Sequence, residues 1–577
     1  MSDASTVSDP STVSDPSTPA GTRPSGARFV ALGILSSKVF GLVRETVIAH
    51  LFGVGPHADV WRTAMRAPNA LQNLLGDQAL SAAFIPIYSR MVEEGRHDAA
   101  RRFAGAILGL LFAAVGLLVT LGVWLAPWIV SVLAAGFLDD ADAVAQGLAT
   151  VDRFPRAVQA VRFVFPMTGF LVLAAWALGV LNSHRRFLVP FMAPIAWNVA
   201  ILSGLGWAAL DSGHFETPAM AGIEAVDRWL YAGFFGAMVG GFLQFAVQLP
   251  FVWRSMGGIR LVSPTIATRV EGVRDALRAM GPVLAGRGVV QLSIYVDILL
   301  ASFLIGGAPG AIGFAVTLYN LPLGAFGISI AAAELPELSR ANPESGYRKV
   351  MARVHRAVGQ STFVIAPSVV GYLLFGLLVV QLIYRRGSFT AEDQWLVYAV
   401  LGGYSLGLVA SAISRLLQNV FFALRDTKTP ARIASVRLAA SVTAGVGLMV
   451  LLDRWAVAEV FGLVDRLGLD TTKGLHLGAV GLSLSASIGA WAELLLLRHA
   501  LRRRIPGLDL GLRLAAGHFL VALLAAVPPL ALWMWLGESF VTPLAVLPAY
   551  IVTYLGWAWW RRTPELELWA GRFLRRR

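Results

Sequence analysis

Apolar runs of about twenty residues or more, separated by short polar breaks, recur from residue 28 almost to the C-terminus. A helix needs roughly 20 such residues to cross about 30 Å of hydrocarbon. The pattern therefore predicts about fourteen membrane-spanning helices, near 28–53, 60–89, 103–133, 157–181, 188–210, 229–253, 278–305, 310–338, 358–384, 394–424, 431–452, 475–500, 512–536 and 541–560. An outer-membrane barrel would show short alternating segments instead, and none is present. The expected fold class is an all-α polytopic membrane protein.

Composition agrees: 56% of residues are hydrophobic and 14% charged, more apolar surface than one water-soluble core could bury. The first 27 residues are different. MSDASTVSDPSTVSDPSTPAGTRPSGA nearly repeats STVSDP and offers nothing to bury, so 1–27 is predicted to be a disordered tail. It lacks the basic start and short apolar stretch of a secretory signal, which leaves the first span as an uncleaved insertion signal. With no cysteine, neither disulfides nor thiolate metal sites are available.

The net charge of +13 would suit a nucleic-acid partner, but the basic residues fall in alternate short loops. SRMVEEGRHDAARR, NSHRRF, LRDTKTPAR and RHALRRR carry Lys or Arg, whereas LDDADAVAQGLATVDR and DSGHFETPAMAGIEAVD lean acidic. Positive residues favour the cytoplasmic side, so both termini are predicted inside and the number of spans even. YRRGSFTAEDQ, on the predicted outer side, is the main exception.

The chain also echoes itself. AAFIPIYSR closes the second run and AAELPELSR the eighth, while HRRFLVPF joins runs four and five as LRDTKTPARI joins ten and eleven. Matches six runs apart suggest two related six-helix halves, and such repeats commonly enclose a transport site. The expected organisation is a tail at 1–27, an N-lobe at 28–253, a cytoplasmic linker at 254–277, a C-lobe at 278–500, and two further helices with a basic tail at 501–577.

Several ordered segments carry a family resemblance: SSKVFGLVRETVIAHLFGVGPHAD, APNALQNLLGDQALSAAFIPIYS, GVLNSHRRFLVPFMAPIAWN, GGFLQFAVQLP, VQLSIYVDILLASFL and FFALRDTKTPARIA. Together they resemble the MurJ (MviN) lipid II flippases of the MOP exporter superfamily, from about residue 30 to about residue 500. The resemblance implies a multi-pass protein of the bacterial cytoplasmic membrane. It would move the undecaprenyl-pyrophosphate-linked peptidoglycan precursor to the outer leaflet through a central cationic cavity between two lobes. It also implies a tail-binding groove beside the last two helices and proximity to cell-wall synthases, for which the chain shows no contact motif. A monomer is expected, because one chain holds both halves.

Charges inside the spans are the candidate site, since each costs about 2.5 to 3.5 kcal/mol at a helix centre and so faces a cavity or a partner. The first span carries Lys38, Arg44 and Glu45, the second Arg62, Arg66 and Asp77. Lys38 and Arg44 lie about 120° short of two full turns apart, so only a wide cavity receives both. Pyrophosphate supplies the anionic partner such residues need, and Arg offers a planar fork of donors to its oxygens. The resemblance places Lys38, Arg44 and Arg66 at cavity positions; membrane anchoring is the alternative role of Lys38. The family usually has an arginine at Gln72 and an Asp-Arg pair at Val316 and Thr317, so two expected cations are missing. Arg287, flanked by glycines in the seventh span, is the proposed replacement.

Asp59 and Asp77 are gate candidates by resemblance, with a helix cap and a buried hydrogen-bonded acid as their alternative roles. Pro68, Gly76, Pro86 and Pro322 are places where spans could bend. Some relatives hold sodium in the C-lobe. Here Asp297 offers one oxygen ligand, but the eleventh span adds no carboxylate or amide, so no bound sodium and no cofactor is expected. The membrane potential is the expected driving force. No GxxxxGK[ST], HExxH or nucleophile elbow is present, which argues against an ATPase or another enzyme. The competing readings are an exporter of another lipid-linked oligosaccharide and a transport-inactive scaffold. A MATE-like multidrug exporter fits less well, because cationic drugs favour acidic and aromatic cavities.

Overall fold

The computed structural model describes residues 24–68, 77–304, 306–324, 347–424, 426–463, 473–507 and 509–566. Helix dominates these residues, and among them ten helical segments are by length and composition able to cross a membrane. The first group of helices is α1 (Pro24–Phe52), α2 (Pro56–Arg66), α3 (Asp77–Glu93), α4 (His97–Trp124), α5 (Arg153–Ser183), α6 (Leu188–Asp211) and α7 (Ile223–Ala246). The second is α8 (Val273–Ser302), α9 (Ala308–Pro322), α10 (Tyr347–Tyr384), α11 (Ala391–Ser405), α12 (Leu408–Ala423), α13 (Lys428–Leu452) and α14 (Gly478–Arg504). The last pair, α15 (Leu512–Leu536) and α16 (Val541–Trp560), packs chiefly against α10.

Four predicted runs are broken; one of them, 229–253, turns at Val247 and Gln248, between α7 and a short helix at Leu249–Met256. The run 60–89 leaves the helix after Arg66, with a turn at Ala67 and Pro68, whose ring cannot donate to the helical ladder, and among the described residues α3 covers its last part from Asp77. The run 103–133 breaks at Leu125, ahead of Pro127. The run 394–424 divides between Ser405 and Leu408. There the Gly403 carbonyl accepts the Ser487 hydroxyl of α14 at 2.6 Å, which satisfies a polar group that lipid could not.

Small residues set the closest helix crossings. On α7, a Cβ at Gly236 would stand 2.5 Å from the Ala200 carbonyl oxygen of α6, and one at Gly240 2.8 Å from that of Trp197. This Gly-x-x-x-Gly spacing lets the two backbones touch, the usual device where lipid removes any hydrophobic drive between helices.

The buried residues form a distinctive pattern. One core draws on both groups, with Trp61, Phe137 and Trp229 packed in the same cluster as Phe314, Tyr384 and Leu396. It lies at the end of the molecule carrying the acidic loop 139–152. At the opposite, basic-loop end the groups have separate cores. Phe84, Phe103 and Trp176 belong to the first, which also receives Val273 and Ala276 from the start of α8. Val358, Leu417 and Leu497 belong to the second. The groups are thus fused at one end, while at the other they have separate cores and are linked through the start of α8.

At the basic-loop end, the FFALRDTKTPARIA segment shows why its polar residues sit where they do. Asp426 accepts the backbone N–H groups of Lys428 and Thr429, both at 3.0 Å, at the start of α13. Bonds from Thr429 above all, with Arg504 nearby, hold the Asp426 pKa below the usual carboxylate range. Its contribution is therefore present above that range and lost as pH falls. Asp426→Ala is expected to destabilise the protein by about 1 kcal/mol, and the deficit in thermal stability should shrink in acid; equal melting at neutral pH would refute the capping role.

Candidate functional site

A cavity of about 380 Å³ lies among α1, α2, α5, α6 and α7, and Arg44, Arg62 and Arg66 line it together with Glu45, Trp197 and Gln244. Three guanidiniums there face one carboxylate. Glu45 is only 3% exposed and accepts Arg44 Nη2 at 2.7 Å through Oε1 and Arg62 Nη2 through Oε2. Arg44 Nη1 also donates to Asn198 Oδ1 at 3.1 Å, and its guanidinium carbon stands 4.8 Å from the Trp197 ring centre. The Asn198 amide donates to the Pro194 carbonyl at 2.9 Å, which leaves its oxygen facing Arg44.

Arg66, one turn from Arg62, lines the same cavity. On its other side it borders a gap of about 10 Å³ shared with Asp297. Of the predicted site residues, then, Arg44 and Arg66 are brought together and Asp297 stands behind Arg66. Lys38 is exposed and lies outside the cavity lining, with its Nζ 3.0 Å from where a Cβ on Gly324 would stand. Asp77 opens α3 and Arg287 lies within α8, but their side chains, like Gln72, lie outside the described residues.

Asp59 is completely buried where the two groups meet. Its Oδ1 accepts the Gly310 N–H at the start of α9 at 2.8 Å, and its Oδ2 accepts Arg153 Nη1 at 3.1 Å. Arg153 is held in turn by a forked pair of bonds to Asp140, at 2.6 and 2.8 Å. Beside this triad, the turn between α1 and α2 is clamped by the second group. Asp393 accepts the Val54 N–H at 3.1 Å. The Lys473 ammonium donates to Asp393 at 2.7 Å, to the Ser388 carbonyl at 3.1 Å and to the Val54 carbonyl at 3.2 Å. An ammonium has three N–H groups, and each has a partner here.

Sequence reasoning noted Arg62 and Glu45 as intramembrane charges without choosing them, and it missed Arg153, Asp140, Asp393 and Lys473. The segment YRRGSFTAEDQ, the exception to the charge rule, was the available signal: it supplies Ser388 and Asp393 to the clamp. A further buried acid, Glu493 on α14, accepts Gln418 of α12 and Arg437 of α13, both at 2.7 Å.

Comparison with known proteins gives the same picture. A sequence profile described as lipid II flippase MurJ matches residues 48–555. A lipid II flippase MurJ of Burkholderia cenocepacia is 30% identical over 471 residues, 82% of each chain. A probable lipid II flippase MurJ of Rhizobium tropici is 32% identical over 436 residues, 75% of this chain and 77% of the relative. Among solved structures, a lipid II flippase MurJ in an inward closed conformation superposes with a TM-score of 0.68 at 20% identity, covering 93% of this chain and 99% of that one. An inward-facing MATE family transporter of the MOP superfamily gives 0.54 at 15% identity, over 84% and 98% of the two chains. The fold is that of these transporters, and the chain belongs to the MurJ lipid II flippase family.

Proposed function

We propose that this protein moves the undecaprenyl-pyrophosphate-linked peptidoglycan precursor from the inner to the outer leaflet of the bacterial cytoplasmic membrane. The observation that carries this reading is the cavity in which Arg44, Arg62 and Arg66 face a single carboxylate. A diphosphate supplies the missing negative charge and matches guanidinium forks with its oxygens.

Two lobes, corresponding to the two helix groups, rock about this site. The basic-loop end faces the cytoplasm with both termini, as the Lys and Arg distribution predicts. Asp59 and the Lys473 clamp close the outer side, while the separately packed cores at the inner end can part. Lys38, about 9 Å from Arg44 along α1, meets the headgroup on its way to the cavity. The inside-negative potential, worth about 2.3 kcal/mol per charge per 100 mV, draws the unloaded cationic cavity back to the inward-facing state, so neither nucleotide nor cofactor is needed. The working unit is a monomer, acting near the synthases that consume its product.

The test is replacement of a conditional lipid II flippase by this chain, with outer-leaflet lipid II and membrane abundance measured together. The natural chain should restore lipid II exposure, and Arg44→Ala should lose at least about tenfold of that activity, as expected for one charge-assisted contact. A stably inserted natural chain that fails to restore it would reject lipid II as the cargo in favour of another lipid-linked oligosaccharide.

A further inference from the structure

Arg62 belongs to α2 in the first group, yet its side chain lies across α9 in the second. A Cβ on Gly313 would stand 2.2 Å from Arg62 Nε and 2.4 Å from Cδ, so the absence of a side chain there opens the lane that Arg62 occupies. The guanidinium carbon sits 4.7 Å from the centre of the Phe314 ring. Thr317, the next residue on this face of α9, turns its hydroxyl back to the Gly313 carbonyl at 3.0 Å and does not compete for the guanidinium. The α9 face bounded by Gly313 and Thr317 therefore carries no charge of its own, and a cation from another helix fills it.

That cation is paired as part of the cavity. Glu45 sits between Arg44 and Arg62, giving one oxygen to each. The Nε atoms of both arginines are buried without a partner among the described residues. Two guanidiniums flanking one carboxylate on the wall of a cavity of about 380 Å³ suit an anion with two linked phosphoryl groups better than one with a single carboxylate.

We propose that Arg62 is a substrate-binding residue: it delivers from α2 the diphosphate-binding guanidinium of the α9 face, where Val316 and Thr317 provide none. The proposal rests on the reading of the cavity as a diphosphate site. It also makes Gly313 a positioning residue, because any side chain there expels Arg62 from its lane.

The experiment measures binding of inorganic pyrophosphate to the purified full-length chain in lipid nanodiscs, for the natural protein, Arg62→Ala, Arg62→Gln, and Arg62→Ala combined with Thr317→Arg. Thr317 is one turn from Gly313, so an arginine there returns a guanidinium to the same space from the other helix without restoring the packing of Arg62. Arg62→Ala and Arg62→Gln should each weaken binding about 10- to 100-fold, the range for a lost charge-assisted bond, and the double variant should recover at least a third of the natural affinity. Affinity within threefold of natural in both single variants would overturn the proposal. A double variant that recovers less than that third would overturn it too, since Arg62 would then act through packing alone. If Arg62→Ala does not fold, the Arg62→Gln result and its own combination with Thr317→Arg decide by the same thresholds. A natural protein that neither binds pyrophosphate nor replaces a lipid II flippase rejects the cavity reading itself, and Arg62 with it; replacement without any difference on loss of Arg62 rejects only the role of Arg62.

Discussion

Arg153→Ala is expected to destabilise the protein by about 3 to 5 kcal/mol, the cost of breaking a buried ion network from one side. Arg153 is 4% exposed and its two partners, Asp59 and Asp140, are 0% and 5% exposed. Without the guanidinium, two carboxylates remain close together away from water, and among the described residues Asp59 keeps the Gly310 N–H alone. Arg153 also stacks on Phe137, with its guanidinium carbon 4.2 Å from the ring centre, so packing is lost with the charge. Thermal unfolding in detergent should show the deficit, and adding Asp59→Asn should recover part of it by removing one stranded charge. An unchanged melting temperature would mean that water reaches the triad and that it does not bind the two helix groups together.

Gly53→Ala should act on the conformational equilibrium instead. Gly53 has φ +56°, and a Cβ there would stand 2.3 Å from the Ser388 carbonyl oxygen in the second group. Left-handed backbone in a non-glycine residue costs on the order of 1 to 3 kcal/mol, and the steric conflict applies only while the clamp is closed. The closed form should therefore lose roughly 5- to 150-fold in relative population, since about 1.4 kcal/mol corresponds to a factor of ten. The chain has no native cysteine, so labelling of Val54→Cys by a membrane-impermeant maleimide reads this one site. Val54 is 1% exposed in the closed form. Faster labelling in the Gly53→Ala background is the expected result, and Lys473→Met should have the same direction of effect through the loss of its three hydrogen bonds. Equal labelling rates in all three proteins would exclude the clamp as a barrier.

Much of this architecture can be read from apolar run length, because lipid imposes one rule on every span. The interruption at Ser405 was harder to see, since hydropathy stays high through a break whose carbonyls, at Gly403 and Leu406, are met by Ser487 and Trp491 of α14. Arg44 and Arg66 were legible as cavity residues because charge inside a span demands a reason. Arg62 shares a helical face with Arg66 at a spacing of four, but only the fold shows that this face meets Gly313. Glu45 is hidden for the opposite reason: neighbours in sequence point about 100° apart on a helix, so adjacency to Arg44 does not predict a shared partner. The contact between Asp59 and Arg153 joins residues 94 positions apart, and periodicity carries no information at that range.

The core common to both helix groups bears on how the protein is made. It draws on residues from Ile48 to Leu482, whereas the core at the other end of the first group is complete with Ala276. At a synthesis rate of roughly 5–20 residues per second, the interval between those two points lasts on the order of 10 to 40 s. Asp59 waits for Gly310 over its first part, Val54 for Asp393 over its first half and for Lys473 over nearly all of it, so polar groups meant for partners in the second group are held in a half-finished bundle. The nascent chain therefore has a long window in which an insertion factor must shield them, and the ribosome's pace, as well as the final fold, becomes a determinant of yield.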